Sequence, residues 1–599
     1  MLPFVDSRRL TGANLFFVAT GATLEITGVA LDEELLSGWR ERVGRARARL
    51  AWSTTEIVVR RHTGGASLAL AAPLDQLFLA TEVNEWALCA ALFERDPLRW
   101  SGMEAALLTA ALENAADATD VDPPVLDEPA AFARFARLAA REARADLCAL
   151  LAEAAEHNLP YVLDETLLTL GAGAGGRSYS LAALPRPADV PWQALHDIPT
   201  VIVSGSNGKT TTVRLLAACA RERGWHAAYN CTDGVMIGTE VLASGDYSGP
   251  AGARRVLREA RTEAAILEVA RGGILRRGLA VVRAKVAVVT NISADHFGEY
   301  GIDDLDGLAE AKLALAAVVP QDGLLVLNAD DALLRAKAAG LARRYGAAPP
   351  LAWFALDADH ALLQQHRARG GSTCGVRAGR LLLAHGSNHA SEYELGAVSA
   401  MPLAVDGHAG YNIANLAGAA LAAAALGIAP VAIAAVFARF GATVTDNPGR
   451  LMRFDHRGVR VLIDYAHNPD GLRGFLQVAS KMRAAHGRLG LLLGHAGNRK
   501  DGDVQALARV AAEFQPDLVV IKEDEAHLRG RSPGDVPRII RQELLRLGMP
   551  DSALPLRASE LEAVHYALEW ARPGDVLALP VHGTQARTAV LAMLGKGGQ

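Results

Sequence analysis

Residues 200–216 read TVIVSGSNGKTTTVRLL. A β-branched apolar run passes into a glycine-containing turn and then into a helical stretch, the order a phosphate-binding loop requires. Gly205 and Gly208 allow backbone N–H groups to close around phosphate oxygens. Lys209 offers positive charge to the β- and γ-phosphates, and Thr210 offers a hydroxyl for Mg2+. The helix that follows turns its N-terminal dipole towards the anion. The expected ligand is ATP, with Gly205, Ser206, Asn207, Gly208, Lys209, Thr210 and Thr211 as its binding loop. The spacing is G-x-x-G-K-T, shorter than the commoner G-x-x-x-x-G-K-[ST].

Outward from this loop, apolar strand-like runs alternate with Ala-rich helical stretches as far as about residue 445. Residues 264–269, 285–290 and 323–327 are examples of the strands. The alternation predicts βαβ units and a parallel sheet. Before the loop, residues 184–192 (LPRPADVPW) are Pro-rich and mark a boundary near residue 195. After it, DNPGR at 446–450 predicts a turn. Strands recur at 459–463, 489–493, 517–521 and 576–579, a second and smaller α/β unit. The expected fold class is therefore α/β in three domains. An N-terminal α+β domain spans 1–195, a central P-loop parallel-sheet domain 196–447, and a smaller Rossmann-like domain 448–599. Within the first, residues 132–156 read as one long amphipathic helix, 53–60 and 66–71 as strands, and GAGAGG at 171–176 as a tight turn.

Composition excludes several classes. The 599 residues carry 61 basic and 66 acidic side chains, a net charge of −5, with no basic block for nucleic acid or a membrane surface. Half are hydrophobic, enough for several cores. The 5 cysteines show no CxxC spacing, which argues against a zinc site and a disulfide framework. The start MLPFVDSRRLTG has no signal-peptide pattern, and no run of about 18 apolar residues suggests a membrane span. A cytoplasmic protein is the expectation.

Further motifs follow the loop in order. Glu268 ends an apolar strand in AILEVARGG, and a carboxylate there is placed to hold Mg2+; the plainer reading is an exposed strand-end glutamate. NISADH at 291–296 follows the next strand, with Asn291 and His296 beyond its tip. Taken alone, a loop histidine is usually a surface residue. Lys312, in AEAKLALA, would ordinarily be a solvated helix lysine. GYNIAN at 410–415 opens an Ala-rich helix, with Asn412 and Asn415 on one face; helix-start polarity is the simpler reading. Arg450 sits in DNPGR, and Asp464 ends a strand in IDYAHNPD.

Together these motifs resemble the Mur ligase family, which includes the enzymes that add amino acids to peptidoglycan precursors and folylpolyglutamate synthetase. The resemblance implies roles for the matching positions. Glu268 would be a Mg2+ ligand with Thr210, and His296 would serve a second metal. Lys312 would be the active-site lysine, carbamylated in many members. Asn291, Asn415, Arg450 and Asp464 would meet the nucleotide. Lys209, Glu268, His296 and Lys312 form the implied catalytic set. Many members have His where this chain has Tyr411.

Residues 232–249 (TDGVMIGTEVLASGDYSG), 291–312 and KEDEAHLRGR at 522–531 resemble the cyanophycin synthetase branch in particular. DSRRLTGANLFF and LDETLLTLGAGAGGRSYSL resemble its N-terminal part weakly. That branch carries an ATP-grasp domain where this chain has only the Pro-rich linker, so one ligation activity is expected rather than two.

The implied reaction joins a carboxylate to an amino acid or other amine through an acyl-phosphate. Arg271, Arg276 and Arg277 are candidates to clamp the carboxylate. Glu523, Asp524, Glu525, Arg529 and Arg531 are candidates to read the amine. His467 is a candidate base. One alternative is a catalytically reduced nucleotide-binding scaffold that partners a separate ATP-grasp ligase. A plain P-loop NTPase or kinase is another, but it leaves DYAHNPD unexplained.

Overall fold

The computed structural model describes residues 2–115, 117, 121–294, 297–386, 392–497, 499–523 and 528–595. Its centre is an eleven-stranded sheet. The phosphate-loop strand Thr200–Ser204 lies between Ala264–Glu268 and Val286–Val289, and all three run parallel. Parallelism continues outward to Ala227–Cys231 on one side. On the other it runs through Leu324–Asn328 and Leu351–Asp357 to Ser372–Arg377. Antiparallel strands close both edges. The inner strands are continuous apolar runs because helices cover both faces. Helices Lys209–Glu222 and Gly410–Ala425 pack together on one face, and Pro250–Arg258 packs on the other.

Parallel strands put their C-terminal ends on one edge of a sheet, and ligands gather there in open α/β folds. Here that edge carries three elements side by side: the turn after Ser204, Glu268, and the segment after Val289. Register pairs Glu268 with Val203 and Val289 with Ser204, so the two flanking tips end level with the start of the loop.

A six-stranded sheet follows, ordered Met452–His456, Val459–Asp464, Val576–Pro580, Leu489–Leu493, Leu518–Lys522, Leu556–Arg557. Its first pair is antiparallel and the rest are parallel. Its core continues into the central unit through Val405 and Ala409, with Tyr411 packed against it. The N-terminal region holds an antiparallel four-stranded sheet ordered Phe4–Leu10, Gly21–Ile26, Gly65–Ala71, Ile57–His62, and a separate three-stranded sheet. Among the described residues, no helix is long and apolar enough to cross a membrane.

The helix expected at 132–156 is two helices, Glu128–Glu142 and Ala145–Glu156. Tertiary capping breaks it. The Glu142 carboxylate accepts from the N–H groups of Phe78 and Leu79 at 2.7 and 2.8 Å, capping a neighbouring helix. The Arg144 N–H donates to Asp75 at 2.9 Å. Ala143 is left extended, with ψ 132°. The strand expected at 53–60 begins only at Ile57 and ends at His62.

Candidate functional site

The phosphate loop is held by the neighbouring strand tip. Asn291 Oδ1 accepts from the Asn207 N–H at 2.9 Å, and Asn291 Nδ2 donates to the Asn207 carbonyl at 3.0 Å. Thr290 Oγ1 donates to that same carbonyl at 2.6 Å. Ser206 and Ser293 exchange a reciprocal pair of bonds, each 2.9 Å. The loop conformation is thus held by the side chains and backbone of the neighbouring strand tip.

Gly208 precedes helix Lys209–Glu222 with φ 88°, a left-handed backbone. A Cβ there would approach Asn415 Oδ1 to 2.2 Å. The Gly208→Ala variant should therefore cost about 1–2 kcal/mol from backbone conformation alone, and nucleotide affinity should fall at least about tenfold as the loop shifts. Isothermal titration with ADP checks this, and unchanged affinity would refute the close fit.

Lys209 Nζ donates to the Gly205 and Ser206 carbonyls at 3.1 and 3.2 Å. Lys312, although expected on a solvated face in isolation, is buried, and its Nζ donates to the Gly205 carbonyl at 2.9 Å. Thr210 Oγ1 donates to Glu268 Oε2 at 2.8 Å. Glu268 is 2% exposed. Burial pushes its carboxyl above the usual glutamate range, against the pull of Lys209, Thr210 and Arg450. Thr232 Oγ1 lies 3.5 Å from its other oxygen. Two hydroxyls and a buried carboxylate form a hard-oxygen donor set, which fits Mg2+.

The C-terminal unit lies directly against this loop. Asn468 Nδ2 donates to Asn207 Oδ1 at 2.9 Å. Arg450 reaches Thr210 Oγ1 at 3.4 Å, and its guanidinium lies 4.3 Å from the Tyr465 ring centroid. Both Asp464 oxygens accept backbone N–H groups, from Leu451 at 2.6 Å and Ala466 at 2.9 Å. Burial raises the Asp464 carboxyl, opposed by these bonds and by Arg450. Asn415 donates to Asn412, and Asn412 to the Leu403 carbonyl, both at 3.1 Å, so both asparagines are buried links within the helix packing rather than helix-start caps.

A cleft of about 1050 Å3 joins these groups. Its lining includes Ser206, Asn207, Gly208, Lys209, Thr210, Thr211, Glu268, Asn291, Lys312, Asn415, Arg450 and Asp464. Gly205 joins the site through its carbonyl, which receives both lysines. His296, expected to serve a metal, lies outside the described residues, as do Asp524 and Glu525.

The substrate-reading candidates divide. Arg271 lines the cleft, paired with Glu299 at 2.6 Å, and Arg276 lines it too. Arg277 is not among the lining residues; its backbone carbonyl accepts from the N–H of Thr11, just past strand Phe4–Leu10. Arg529 and His467 line the cleft. Glu523 is buried and accepts from the Gly534 N–H at 2.6 Å. Arg531 is engaged with the Gly497 carbonyl at 2.8 Å and Asp501 at 2.7 Å.

Several site residues escaped sequence reading. His582 lines the cleft with its ring 5.2 Å from Tyr465. Burial, then Lys522 and two histidines, hold it well below the ordinary imidazole value, so it is neutral. Asp233, inside the quoted TDG, joins three segments. It pairs with Arg214 and with Arg587 of the C-terminal unit, each at 2.6 Å, while Arg214 also donates to the Pro448 carbonyl at 2.9 Å. Both arginines are buried.

Burial alone would raise the Asp233 carboxyl, but Arg214, Arg450 and Arg587 hold it below the usual range. A depressed folded value means that this stability is present above the unfolded aspartate value of about 3.9 and is lost as pH falls through the folded value. Asp233→Asn should cost about 3 kcal/mol at pH 7, because two buried arginines lose their counter-charge. Urea melts of both proteins from pH 7 to pH 3 should show the gap closing at the acid end; a gap constant with pH would refute the charge assignment.

The fold and site together define a phosphate-loop α/β protein whose nucleotide-sized cleft lies between a parallel-sheet unit and a smaller α/β unit. Residues 203–371 match the Mur ligase middle domain, and residues 449–579 match the domain described as Mur ligase, glutamate ligase domain. A diaminopimelate ligase of Xanthomonas campestris pv. campestris, UDP-N-acetylmuramoyl-L-alanyl-D-glutamate--2,6-diaminopimelate ligase, is 30% identical over 442 residues, covering 68% of this chain and 82% of that one. The chain belongs to the Mur ligase family. Cyanophycin synthetase of Trichormus variabilis is 34% identical over 428 residues, which cover 70% of this chain and 46% of the synthetase. The chain thus spans about half the length of the cyanophycin synthetases it matches. Among solved structures, folylpolyglutamate synthase of Mycobacterium tuberculosis complexed with ADP superposes with a TM-score of 0.47 at 18% identity, covering 66% of this chain and 90% of that one.

Proposed function

We propose that this protein is an ATP-dependent carboxylate–amine ligase that forms an amide bond through an acyl-phosphate, with an amino acid as the amine. The observation that carries the reading is the convergence of Lys209, the Thr210–Glu268 pair and Lys312 on one preformed loop, in a cleft that a second α/β unit closes with Arg450. Membership of the Mur ligase family supports it, as do the ligase names of the relatives.

In this reading the substrate carboxylate oxygen attacks the γ-phosphorus, and the β–γ bridging P–O bond breaks to release ADP. Lys209 and the loop N–H groups stabilise charge on the transferring phosphoryl group, which is largely positional and electrostatic catalysis. A magnesium ion held by Thr210 and Glu268 would supply further charge neutralisation. The neutral amine nitrogen then attacks the acyl carbon, the C–O bond to phosphate breaks, and inorganic phosphate leaves with one proton. Arg271 and Arg276 face the cleft beyond Glu268 and suit a carboxylate substrate. Arg499 and Arg529, on the C-terminal wall, suit the carboxylate of the incoming amino acid. Carbamylation of Lys312 would place an anion beside Gly205, and a separate ATP-grasp protein would supply any other ligation.

Phosphate release measured against a panel of carboxylates and amino acids tests the reading. Release that requires both a carboxylate and an amine is expected. Nucleotide binding without amine-dependent release would sink it and leave a scaffold role.

A further inference from the structure

The two family-model matches cover residues 203–371 and 449–579, so the N-terminal sheet has no role assigned through them. It lies against one segment of the site. Residues 297–304 form a strap between the tip carrying Asn291 and Ser293 and the helix Leu305–Leu313 carrying Lys312. The strap folds back on itself, with the Gly298 N–H donating to Ile302 O at 2.8 Å and the Ile302 N–H to Glu299 O at 3.1 Å. Tyr300 and Gly301 at its tip both have left-handed backbones, φ 54° and 66°. A bulky residue holds that conformation only where its surroundings impose it.

The N-terminal sheet supplies those surroundings. The Arg8 guanidinium stacks 4.6 Å from the Tyr300 ring centroid, and Arg8 is itself buried against Glu25 at 2.7 Å. Arg60 Nη1 donates to the Gly301 carbonyl at 2.5 Å, with Arg60 Nε 3.8 Å from Glu310 on the Lys312 helix. Thr63 Oγ1 donates to Asp303. The His62 ring lies between two carboxylates, 3.4 Å from Glu25 and 3.7 Å from Asp303. It packs so tightly on the strap that a Cβ at Gly301 would come within 2.6 Å of it. The same sheet holds the Arg271–Arg277 helix, through Arg8 Nε to the Leu275 carbonyl at 2.9 Å and the Thr11 N–H to the Arg277 carbonyl at 2.8 Å. The strap and this helix are tied to each other by the Glu299–Arg271 pair at the cleft wall.

We propose that the N-terminal four-stranded sheet is a positioning module for the ligation site, in which Arg8, Arg60 and His62 set the strap and thereby the placement of Glu299, Arg271 and Lys312 at the cleft. The nucleotide loop is held chiefly from within the central sheet, by Thr290, Asn291 and Ser293, and the strap reaches it through Lys312 on the Gly205 carbonyl. The positioning therefore acts on the carboxylate side of the cleft. As a role in turnover it rests on the ligase reading above.

The test uses the full chain with Arg60→Met, and with Thr63→Val as a second variant whose exposed position leaves folding intact. Amine-dependent phosphate release and hydrogen exchange at residues 298–302 are both measured. For Arg60→Met, kcat should fall about 10–100-fold and the carboxylate KM should rise. The ATP KM should stay within about twofold, because the loop keeps its bonds to Thr290, Asn291 and Ser293. Exchange at Gly298 and Ile302 should accelerate. Arg60→Lys, which keeps a donor for the Gly301 carbonyl, should recover part of kcat, and Thr63→Val should show the same pattern more weakly. Unaltered exchange in both variants overturns the proposal, as does loss of ATP affinity in parallel with kcat. If the wild type itself shows no amine-dependent release, the ligase reading fails, and the exchange measurement still decides whether the sheet sets the strap.

Discussion

Lys209→Ala is expected to lower phosphate release at least about 1000-fold while the protein stays folded. Lys209 is partly exposed at the mouth of the loop, and its ammonium donates to the carbonyls of Gly205 and Ser206. Those carbonyls belong to a turn whose backbone is fixed by Thr290, Asn291, Ser206 and Ser293. Removing the side chain leaves that scaffold in place, and a thermal midpoint within a few degrees of wild type should show it. What is lost, in the proposed mechanism, is a flexible cation placed to follow charge onto the transferring phosphoryl group. Lys209→Arg should restore little, since a planar fork does not replace a compact ammonium in a tight loop. The lysine also stabilises the ionised form of Glu268, so its removal should weaken Mg2+ binding as well. Turnover within tenfold of wild type would refute the assigned role.

Much of this site was readable in the sequence for one physical reason: parallel strands buried on both faces are continuous apolar runs, and the residues after each run share one sheet edge. The ends of 200–204, 264–269 and 285–290 therefore place Lys209, Glu268 and Asn291 on one edge from sequence alone. Contacts that cross between units had no such signature. The Asp233–Arg587 pair spans 354 residues of sequence, and nothing local in QART marks Arg587 as a partner. His582 sits in PVHGT, where its neighbours say nothing of the Tyr465 ring beside it. Arg8, Arg60 and His62 lie on strands whose alternation is broken by buried charge, so the N-terminal sheet yielded only its approximate strands. The single helix expected at 132–156 breaks in two because Glu142 and Arg144 have better partners on another element than in their own helix.

Glu268→Gln should separate activity from stability. Burial raises the carboxyl of Glu268 above its unfolded value, which is about 4.3. For a group raised in the folded state, the favourable contribution is complete below the unfolded value and is lost as pH rises through the folded value. Raising the pH without metal therefore drives the wild type towards an ionised carboxylate in a site that penalises charge. Glutamine keeps the shape and still accepts the Thr210 hydroxyl, which donates to Glu268 at 2.8 Å in the structure, but it has no charge to bury. The variant should accordingly melt at a higher temperature than wild type at pH 8 in metal-free buffer, and the two should converge towards pH 4. Magnesium and ADP should reverse the order, because only the carboxylate gains from a hard cation. Phosphate release by the variant should be lower by about 100–1000-fold. A variant less stable than wild type at pH 8 without metal would contradict the burial penalty. Equal stabilisation of both proteins by magnesium and ADP would remove Glu268 from the metal site.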